Sequence, residues 1–364
     1  MLMDNEHYDL VIAGAGLGGC AAALAACENG LRVLLTEETD WIGGQVTSQG
    51  VPPDEHRWIE ETGATKRYHQ YRNRVRDTYL KNMTIKNDQK PFNPGSGLVS
   101  SICHDPRVSL HVLHEMLLPF TLTNQLTIAL NAVVSHVVRE HNRIKRVMIT
   151  YTNSGGKEEI SVPYVIDATE TGELLPLSDV EYVTGAESKS ETGEPHALEE
   201  ADPTDIQAFT YVLAMEYQEG KDNQIEKPEM YDYWRAFHPD FWPDKYLSFY
   251  APHPVTKEKR KYTLFREETG FPLWEYRRIF AQSNYQTPVT TGDITLMNWP
   301  QNDYFLGNVY DVSSQEKEKH LYQAKQLSLS LFYWLQTEAP RPDGGKGYPG
   351  LKLRPDVLGT KNGL

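Results

Sequence analysis

An α/β fold with a parallel β-sheet is the class that this sequence predicts, and three observations lead to it. The stretch VIAGAGLGGC, residues 11–20, has the pattern of a buried strand that runs into a glycine turn and then a helix. A second apolar strand, RVLLT, follows at residues 32–36 and completes a βαβ unit. A third buried strand, YVIDA, occurs much later, at residues 164–168. Strands from such distant segments predict a nucleotide-type domain that is interrupted by other structure.

The other helices and strands are predicted from periodicity. Residues 18–29 are Ala-rich and helical, and Gly30 is suited to end that helix. A charged helical segment is inserted within residues 51–100, and residues 106–118 have helical spacing. The segments LTIAL, AVVSHVVRE and RIKRVMITYT alternate as the strands of a β-meander. Residues 315–337 predict one more helix.

Composition and spacing predict three segments. Residues 1–180 form a Rossmann-like domain with a parallel sheet and the β-meander. Residues 181–312 form a second, α+β domain for the substrate, because the chain at 231–250 is too dense in aromatic residues for a linker. Residues 313–364 are a helix and a Gly/Pro-rich tail that returns toward the first domain and ends without a packed element.

Charge and cysteine content restrict the partners and the compartment. The 364-residue chain has 50 acidic and 36 basic residues, a net charge of −14, which argues against a nucleic-acid partner or an anionic membrane surface. The N-terminal sequence MLMDNEHYDL lacks the apolar core of a signal peptide, and the three cysteines form no CxxC pair. We therefore expect a cytoplasmic protein with a small-molecule substrate and no metal site.

The glycine turn predicts the binding of a dinucleotide. Gly14, Gly16 and Gly19 satisfy the GxGxxG pattern between a strand and a helix, as required for a backbone that approaches a pyrophosphate. Glu37 follows at the end of the second strand, where a carboxylate accepts hydrogen bonds from ribose hydroxyls. An acid there disfavours the 2′-phosphate of NADP. At this point both NAD and FAD remain open.

The segment EETDWIGGQ, residues 37–45, resembles the glutathione-reductase-like class of FAD-dependent oxidoreductases, in which a Gly-Gly pair approaches the FAD phosphates. The resemblance implies that FAD is the cofactor. It also implies that the AVVSHVV strand contacts the adenine at Val134, and that YVIDATETGEL is the class's apolar strand ending in Ala-Thr-Gly. In that strand Ala168 and Thr169 match, while an inserted Glu-Thr displaces Gly172.

Two further stretches, WIGGQVTSQGVPPDEH and NWPQNDY, resemble a bacterial group known simply as FAD-dependent oxidoreductases. The cysteine pair of disulfide reductases is missing after the Gly-Gly turn, and no second GxGxxG lies in a strand-to-helix context. These absences leave oxidase or dehydrogenase chemistry, in which a small organic substrate gives a hydride to the flavin. An NAD-dependent dehydrogenase is the alternative that the residues alone leave open.

Members of the class return near their C-terminus to the FAD domain with a Gly-Asp motif. The single Gly-Asp pair of this chain, Gly292-Asp293, precedes a polar loop instead of following a buried strand. The resemblance therefore implies either a C-terminally truncated chain or an incomplete FAD-binding subunit that a partner chain completes. A homo-oligomer is a related expectation.

The expected site residues fall into a cofactor-binding set and a catalytic set. The cofactor-binding set is Gly14, Gly16, Leu17, Gly18, Gly19, Glu37, Glu38, Gly43, Gly44, Gln45, Val134, Ala168, Thr169 and Gly172. In the catalytic set, His56 follows the Gly-Gly turn and is a candidate general base. Arg277 is suited to clamp a substrate carboxylate, and Asn302 and Asp303 lie in the aromatic stretch MNWPQNDYF. A solvated loop histidine and a salt-bridged surface strand are the structural alternatives.

Overall fold

The computed structural model describes residues 7–86, 90–286 and 292–360. It divides into two compact units, each built from more than one stretch of chain. Unit 1 comprises Met1–Gly50, His56–Lys81 and Pro106–Tyr182, and unit 2 comprises Val51–Glu55, Asn82–Asp105 and Val183–Leu364.

The elements of unit 1 follow the predicted order. They are β1 (Leu10–Ala13), α1 (Leu17–Glu28), β2 (Val33–Glu37), α2 (Lys66–Asn82), α3 (Pro106–Leu122), β3 (Leu126–Leu130), β4 (Ala132–Glu140), β5 (Arg143–Tyr151), β6 (Lys157–Ser161), β7 (Tyr164–Asp167) and α4 (Leu174–Leu177). A short 3-10 helix covers Gly44–Val46.

The sheet of unit 1 is parallel and has the strand order β3-β2-β1-β7. Every residue of β1 and β2 is buried, as expected where both faces of a parallel strand are covered. Alternate residues of β1, such as Val11 and Ala13, point to the β4-β5-β6 meander and share a core with Val134 and Val147. The parallel sheet and the meander confirm the predicted α/β fold.

The elements of unit 2 are shorter and mostly antiparallel. They are α5 (Lys189–Thr192), β8 (Phe209–Thr210), β9 (Leu213–Tyr217), α6 (Tyr231–Ala236), β10 (Tyr250–Pro252), β11 (Lys259–Thr263), β12 (Phe271–Pro272), α7 (Leu273–Tyr276), β13 (Arg278–Phe280), β14 (Ile294–Met297), β15 (Asp303–Tyr304), α8 (Ser314–Thr337), β16 (Leu351–Leu353) and α9 (Pro355–Leu358). Two 3-10 helices, Gln282–Asn284 and Pro300–Asn302, join some of them.

An antiparallel sheet of order β13-β14-β9-β16 organises unit 2. The aromatic stretch at residues 231–250 contributes Trp234 and Tyr246 to a core that also holds Leu327 and Leu331 of α8. This core agrees with the prediction that residues 231–250 are folded and do not form a linker.

The C-terminal part of the chain differs from the expectation. The tail was expected to lack a packed element and to return toward the first domain. Instead β16 pairs with β9, and α8 contributes to the aromatic core, so both belong to unit 2. Pairing with a buried central strand holds this part of the tail, although β16 has only 3 residues.

No helix within the described ranges is long and apolar enough to cross a bilayer. All three cysteines, Cys20, Cys27 and Cys103, are buried free thiols.

Candidate flavin site and substrate residues

The first glycine turn brings the end of β1 against the start of α1. Gly14 has a φ of +89°, and a Cβ placed on it would lie 2.3 Å from the Ala168 carbonyl oxygen. A Cβ on Gly19 would lie 2.0 Å from the Gly14 carbonyl oxygen. These two positions therefore require glycine for the turn itself. Gly16 has an ordinary φ of −58°, and it is the N-cap of α1 without a side-chain cap.

The second glycine pair lies beside the first turn. Gly43 N–H donates to the Ala15 carbonyl at 2.7 Å, and Gly43 forms a parallel bridge with Gly16. Gly43 and Gly44 both have positive φ, at +110° and +53°. A Cβ on Gly44 would lie 3.0 Å from the Gly16 Cα, so the two turns approach each other backbone to backbone. That approach leaves a narrow groove whose walls carry no side chain at Gly16 and Gly44.

Glu37 lies at the end of β2 and is only 6% exposed. Its carboxylate accepts hydrogen bonds from Ala15 N–H at 3.2 Å, Thr39 N–H at 3.0 Å and Thr39 Oγ1–H at 2.8 Å. These bonds hold both oxygens at the edge of a cavity. Oε1 accepts both bonds from Thr39 and Oε2 accepts only the one from Ala15, so Oε2 keeps a lone pair for a hydroxyl donor.

The cavity in unit 1 has a volume of about 190 Å³. Eight members of the predicted cofactor-binding set are among the residues that line it: Gly14, Gly16, Glu37, Glu38, Gly44, Val134, Ala168 and Thr169. Six predicted members are not among them: Leu17, Gly18, Gly19, Gly43, Gln45 and Gly172. Gly19 and Gly43 shape the turns from behind, and Gly172, at a φ of +66°, lies in the loop that follows β7.

Several cavity residues were not predicted from the sequence. Thr39, Ser48, Gln49 and Glu170 line the cavity from loops that follow β2, the second glycine turn and β7. The inserted Glu-Thr after Thr169 was the one sequence signal that marks this part of the wall.

The glycine-walled groove and its donors fit the diphosphate and ribose of a dinucleotide. No side chain caps α1, so its first backbone N–H groups remain available to an anion, and the helix dipole favours one there. The Glu37 carboxylate is placed as a candidate acceptor for ribose hydroxyls. Cys20 lies beneath the turn, where burial raises the pKa of its thiol to about 12, and the negative charge of Glu37 adds to this rise. The thiol is therefore protonated at neutral pH and has a packing role.

In unit 2, Arg277 is 8% exposed and its guanidinium is already paired. Nη1 and Nη2 donate to the two carboxylate oxygens of Asp54 at 3.2–3.4 Å, and Nε donates to the Asn298 carbonyl at 3.2 Å. The Asp54 side chain is 47% exposed, so it is the movable partner of the pair. The guanidinium that was predicted to clamp a substrate carboxylate holds a carboxylate of the chain itself in this structure, and the clamp stays a prediction.

Asp303 lies in β15, where Thr210 of β8 donates to its Oδ1 at 2.5 Å. Burial raises the pKa of the Asp303 carboxyl above its ordinary value of 3.8, and the Thr210 hydrogen bond and the charge of Arg277 oppose that rise. A raised pKa makes this carboxyl a stronger proton acceptor than an ordinary aspartate.

The contacts of Asn302 favour a packing role over catalysis. Asn302 is fully buried, its Oδ1 accepts from Trp299 N–H at 2.9 Å, and its Nδ2 contacts the Tyr211 carbonyl, the Met297 carbonyl and Ser328 Oγ. The Nδ2 hydrogens are used within unit 2 and Oδ1 already accepts one bond there, so this fully buried amide has no donor left for a substrate.

The residue beside it, Gln301, was not predicted. Gln301 is 1% exposed, and neither its Oε1 nor its Nε2 has a hydrogen-bond partner among the described residues. The indole Nε1 of Trp299 is also buried and also has no hydrogen-bond partner among the described residues. Buried polar groups are nearly always paired in folded proteins, so such groups mark a place for a water or a ligand.

His56 is exposed in unit 1. Its Nδ1 accepts from Trp58 N–H at 3.2 Å, and its ring lies against Gly63. This environment is that of the solvated loop histidine. Among the described residues, no group of three or more His, Cys, Asp or Glu side chains is arranged to hold a metal ion.

Comparison with known proteins shows partial similarities to several flavoenzymes and dehydrogenases. A stretch of 48 residues is 40% identical to the 3-oxosteroid 1-dehydrogenase of Comamonas testosteroni. This stretch covers 13% of this chain and 8% of that relative. The solved structure of the L-amino acid deaminase from Proteus vulgaris is 16% identical, with 51% of this chain and 56% of that chain covered at a TM-score of 0.30. The glycerol-3-phosphate dehydrogenase from Bacillus halodurans, solved with FAD, is 12% identical, with 58% and 39% covered at a TM-score of 0.32. The chain thus spans less than two thirds of the length of each.

One match extends over nearly the whole chain. The model of the family described as FAD dependent oxidoreductase matches residues 9–363, from the first residues of β1 through the C-terminal helix of unit 2. Since the match includes both glycine turns, Glu37 and the aromatic unit, this chain belongs to the FAD dependent oxidoreductase family.

Proposed function

We propose that this enzyme oxidises a small organic substrate by hydride transfer to FAD held in the unit 1 cavity. The observation that carries the proposal is the groove between Gly16 and Gly44, which lies beside the buried Glu37 carboxylate. Membership of the family favours FAD over the NAD-dependent alternative. We also propose the glutathione-reductase-like class and a cytoplasmic location, the latter supported by three free thiols.

The residues of unit 1 have separable tasks in this proposal. Gly16 and Gly44 admit the diphosphate, the N-terminus of α1 donates N–H groups to it, and Glu37 accepts from the ribose. When bound, FAD supplies the two-electron acceptor chemistry, and the protein supplies position and electrostatic environment.

The substrate side of the proposal rests on unit 2. Arg277 binds an anionic group of the substrate in the position that Asp54 now takes, and Gln301 with Trp299 pairs a polar group of the substrate. Asp303 accepts the proton that leaves with the hydride. His56 stays a second prediction for the base, and its exposure makes Asp303 the better supported of the two.

The spectrum of the purified protein tests the core of the proposal. Flavin absorbance in the protein, bleached anaerobically by one member of a panel of amino acids, amines and hydroxy acids, is the expected result. A colourless protein that FAD does not reconstitute would overturn it. Bleaching only by anionic substrates would support the role of Arg277.

Asp303→Asn separates catalysis from stability. Because the folded state raises the pKa of Asp303, the native protein binds more protons than the unfolded chain between pH 3.8 and that raised pKa. Stability is therefore lost as pH rises through this window, and above it the ionised carboxylate weakens the fold. The amide keeps an acceptor for Thr210, so D303N should unfold at higher urea than the wild type at pH 7 while turnover falls roughly 100-fold.

Asp343→Asn is the control, because the fold lowers the pKa of Asp343 whereas it raises the pKa of Asp303. A backbone N–H of Gly345 lowers the pKa of this exposed carboxyl, so its ionised form stabilises the fold and D343N should gain nothing at pH 7. Wild-type turnover in D303N would remove Asp303 from the catalytic set.

A second candidate function is that of an incomplete flavin subunit. Strand β7 pairs with β1 on one side, and on the other side no described residue pairs with it. Its Tyr164 and Ile166 side chains are 69% and 37% exposed, although parallel strands are ordinarily covered on both faces. We propose that a second chain covers this edge, either another copy or a different subunit.

Ile166→Lys tests this candidate. If a second copy covers β7, sedimentation of the wild type should show a dimer, and I166K should be monomeric with weaker FAD binding. Lys145→Glu, on the meander strand β5, is the matched surface control and should leave both measurements unchanged. A monomeric wild type that binds FAD tightly would contradict the second candidate.

A further inference from the structure

The groove that the proposed function assigns to the FAD diphosphate is already contacted by a side chain of the protein. A Cβ placed on Gly16 would lie 2.7 Å from Glu170 Oε1, and one placed on Gly44 would lie 2.6 Å from the same oxygen. One carboxylate oxygen therefore lies against both glycine walls. The space that the two glycines keep free of side chains is the space that Glu170 takes.

The loop that carries Glu170 is firmly anchored, whereas the Glu170 carboxylate is not. Asp167 accepts from Thr169 N–H at 3.0 Å, from Thr169 Oγ1 at 2.7 Å and from Leu174 N–H at 2.9 Å. Thr169 Oγ1 in turn accepts from Glu173 N–H at 2.9 Å. Glu170 is exposed, and its carboxylate has no hydrogen-bond or ion-pair partner among the described residues. The backbone thus directs Glu170 to the groove, and rotation of its side chain breaks no described bond.

The position of the Glu170 carboxylate matters because the cavity is already rich in negative charge. Four glutamates, Glu37, Glu38, Glu170 and Glu173, are among the lining residues, and none of the described lining residues is Lys, Arg or His. A diphosphate brings further negative charge. Two like charges about 4 Å apart repel by about 1 kcal/mol even at the dielectric constant of water.

We propose that Glu170 is an intrasteric gate for cofactor loading: its carboxylate occupies the diphosphate groove between Gly16 and Gly44, and FAD enters only by displacing it. The inference rests on the proposed FAD site and adds that the Glu170 carboxylate competes with the FAD diphosphate for that site. The Glu-Thr insertion after Thr169 places the gate, and the gate lowers the affinity of the groove for FAD and for other diphosphate ligands alike.

Ligand titrations of flavin-free protein test the gate without any activity measurement. Glu170→Gln keeps the size and removes the charge, so FAD and ADP should bind about fivefold more tightly, the equivalent of the repulsion above. Glu170→Ala removes the bulk as well and should tighten both by about tenfold or more. Adenosine, which has no phosphate, should bind all three proteins equally.

Glu173→Gln is the matched control, because Glu173 lines the same cavity but lies outside the glycine contacts. It should change FAD affinity less than E170Q does. Unchanged or weaker FAD binding in both E170Q and E170A would overturn the gate and leave the FAD site standing. Failure of FAD and ADP to bind any of these proteins would overturn the gate and the proposed function together.

Discussion

Gly16→Ala is expected to lower FAD affinity roughly 10- to 100-fold while the fold persists. The new Cβ fills the groove, and pushing the diphosphate away from even one N–H donor sacrifices a charge-assisted hydrogen bond of about 1.5–3 kcal/mol. Gly16 has φ −58° and ψ −177°, which alanine adopts readily, and the side chain it would meet is the flexible Glu170. The cost to stability should stay near 1 kcal/mol, the usual loss at an N-cap.

Gly18→Ala is the matched control for this prediction. A Cβ on Gly18 meets nothing within 4 Å, and Gly18 lies in the first turn of α1. G18A should therefore bind FAD as the wild type does and gain up to about 1 kcal/mol of helix stability. FAD titration with urea unfolding of each variant provides the measurement. Equal FAD affinity in G16A and G18A would show that the diphosphate does not approach Gly16. Gly14 and Gly19 are unsuitable for this test, because any side chain there collides with backbone.

The structure of unit 1 was predictable because its signals are local. Strand β1, the glycine turn, α1 and β2 follow one another within 28 residues, from Leu10 to Glu37, and each has its own pattern. The predicted ends of these elements agree with the structure to within one or two residues. Strand β7 was also predicted, because YVID is a short, mostly apolar run. Its predicted burial was wrong, since β7 is an edge strand whose Tyr164 and Ile166 are exposed.

The wall of the cavity opposite the glycine turn could not be predicted in the same way. Glu170 contributes through the conformation of a loop that Asp167 fixes, and nothing in the spacing of ATETG indicates where its side chain points. The inserted Glu-Thr marked the position as unusual, but its consequence is visible only from the distance to Gly16 and Gly44.

The candidate substrate residues of unit 2 contact partners that are remote in sequence. Arg277 and Asp54 are 223 positions apart, so an arginine that looks available in the sequence is found with a carboxylate in place. Asn302 looked equally suited to bind a ligand, yet Tyr211 and Ser328, each at least 26 positions away, use its amide. The side-chain amide of its neighbour Gln301, in contrast, has no hydrogen-bond partner among the described residues. Whether a polar side chain in an aromatic stretch is satisfied by the fold is a three-dimensional property.

The packed tail leads to the second prediction of large effect. Glu216 in β9 is 1% exposed, and Arg354, just beyond β16, donates to its Oε2 at 2.9 Å. Lys352 and Gln218 contact the other oxygen. Arg354→Leu should lower the free energy of unfolding by about 2–3 kcal/mol, because a buried carboxylate then retains only part of its compensation.

Arg341→Leu is the control, since Arg341 pairs with Asp343 at the surface and its loss should cost less than about 1 kcal/mol. Urea unfolding followed by tryptophan fluorescence measures both, and five of the seven tryptophans lie in unit 2, where the change is expected. The double variant Glu216→Leu/Arg354→Leu should recover much of the loss, because replacing both members of a buried pair removes the uncompensated charge. Equal stability of R354L and R341L would mean that Lys352 and Gln218 suffice for Glu216, and that backbone pairing with β9 alone holds the tail.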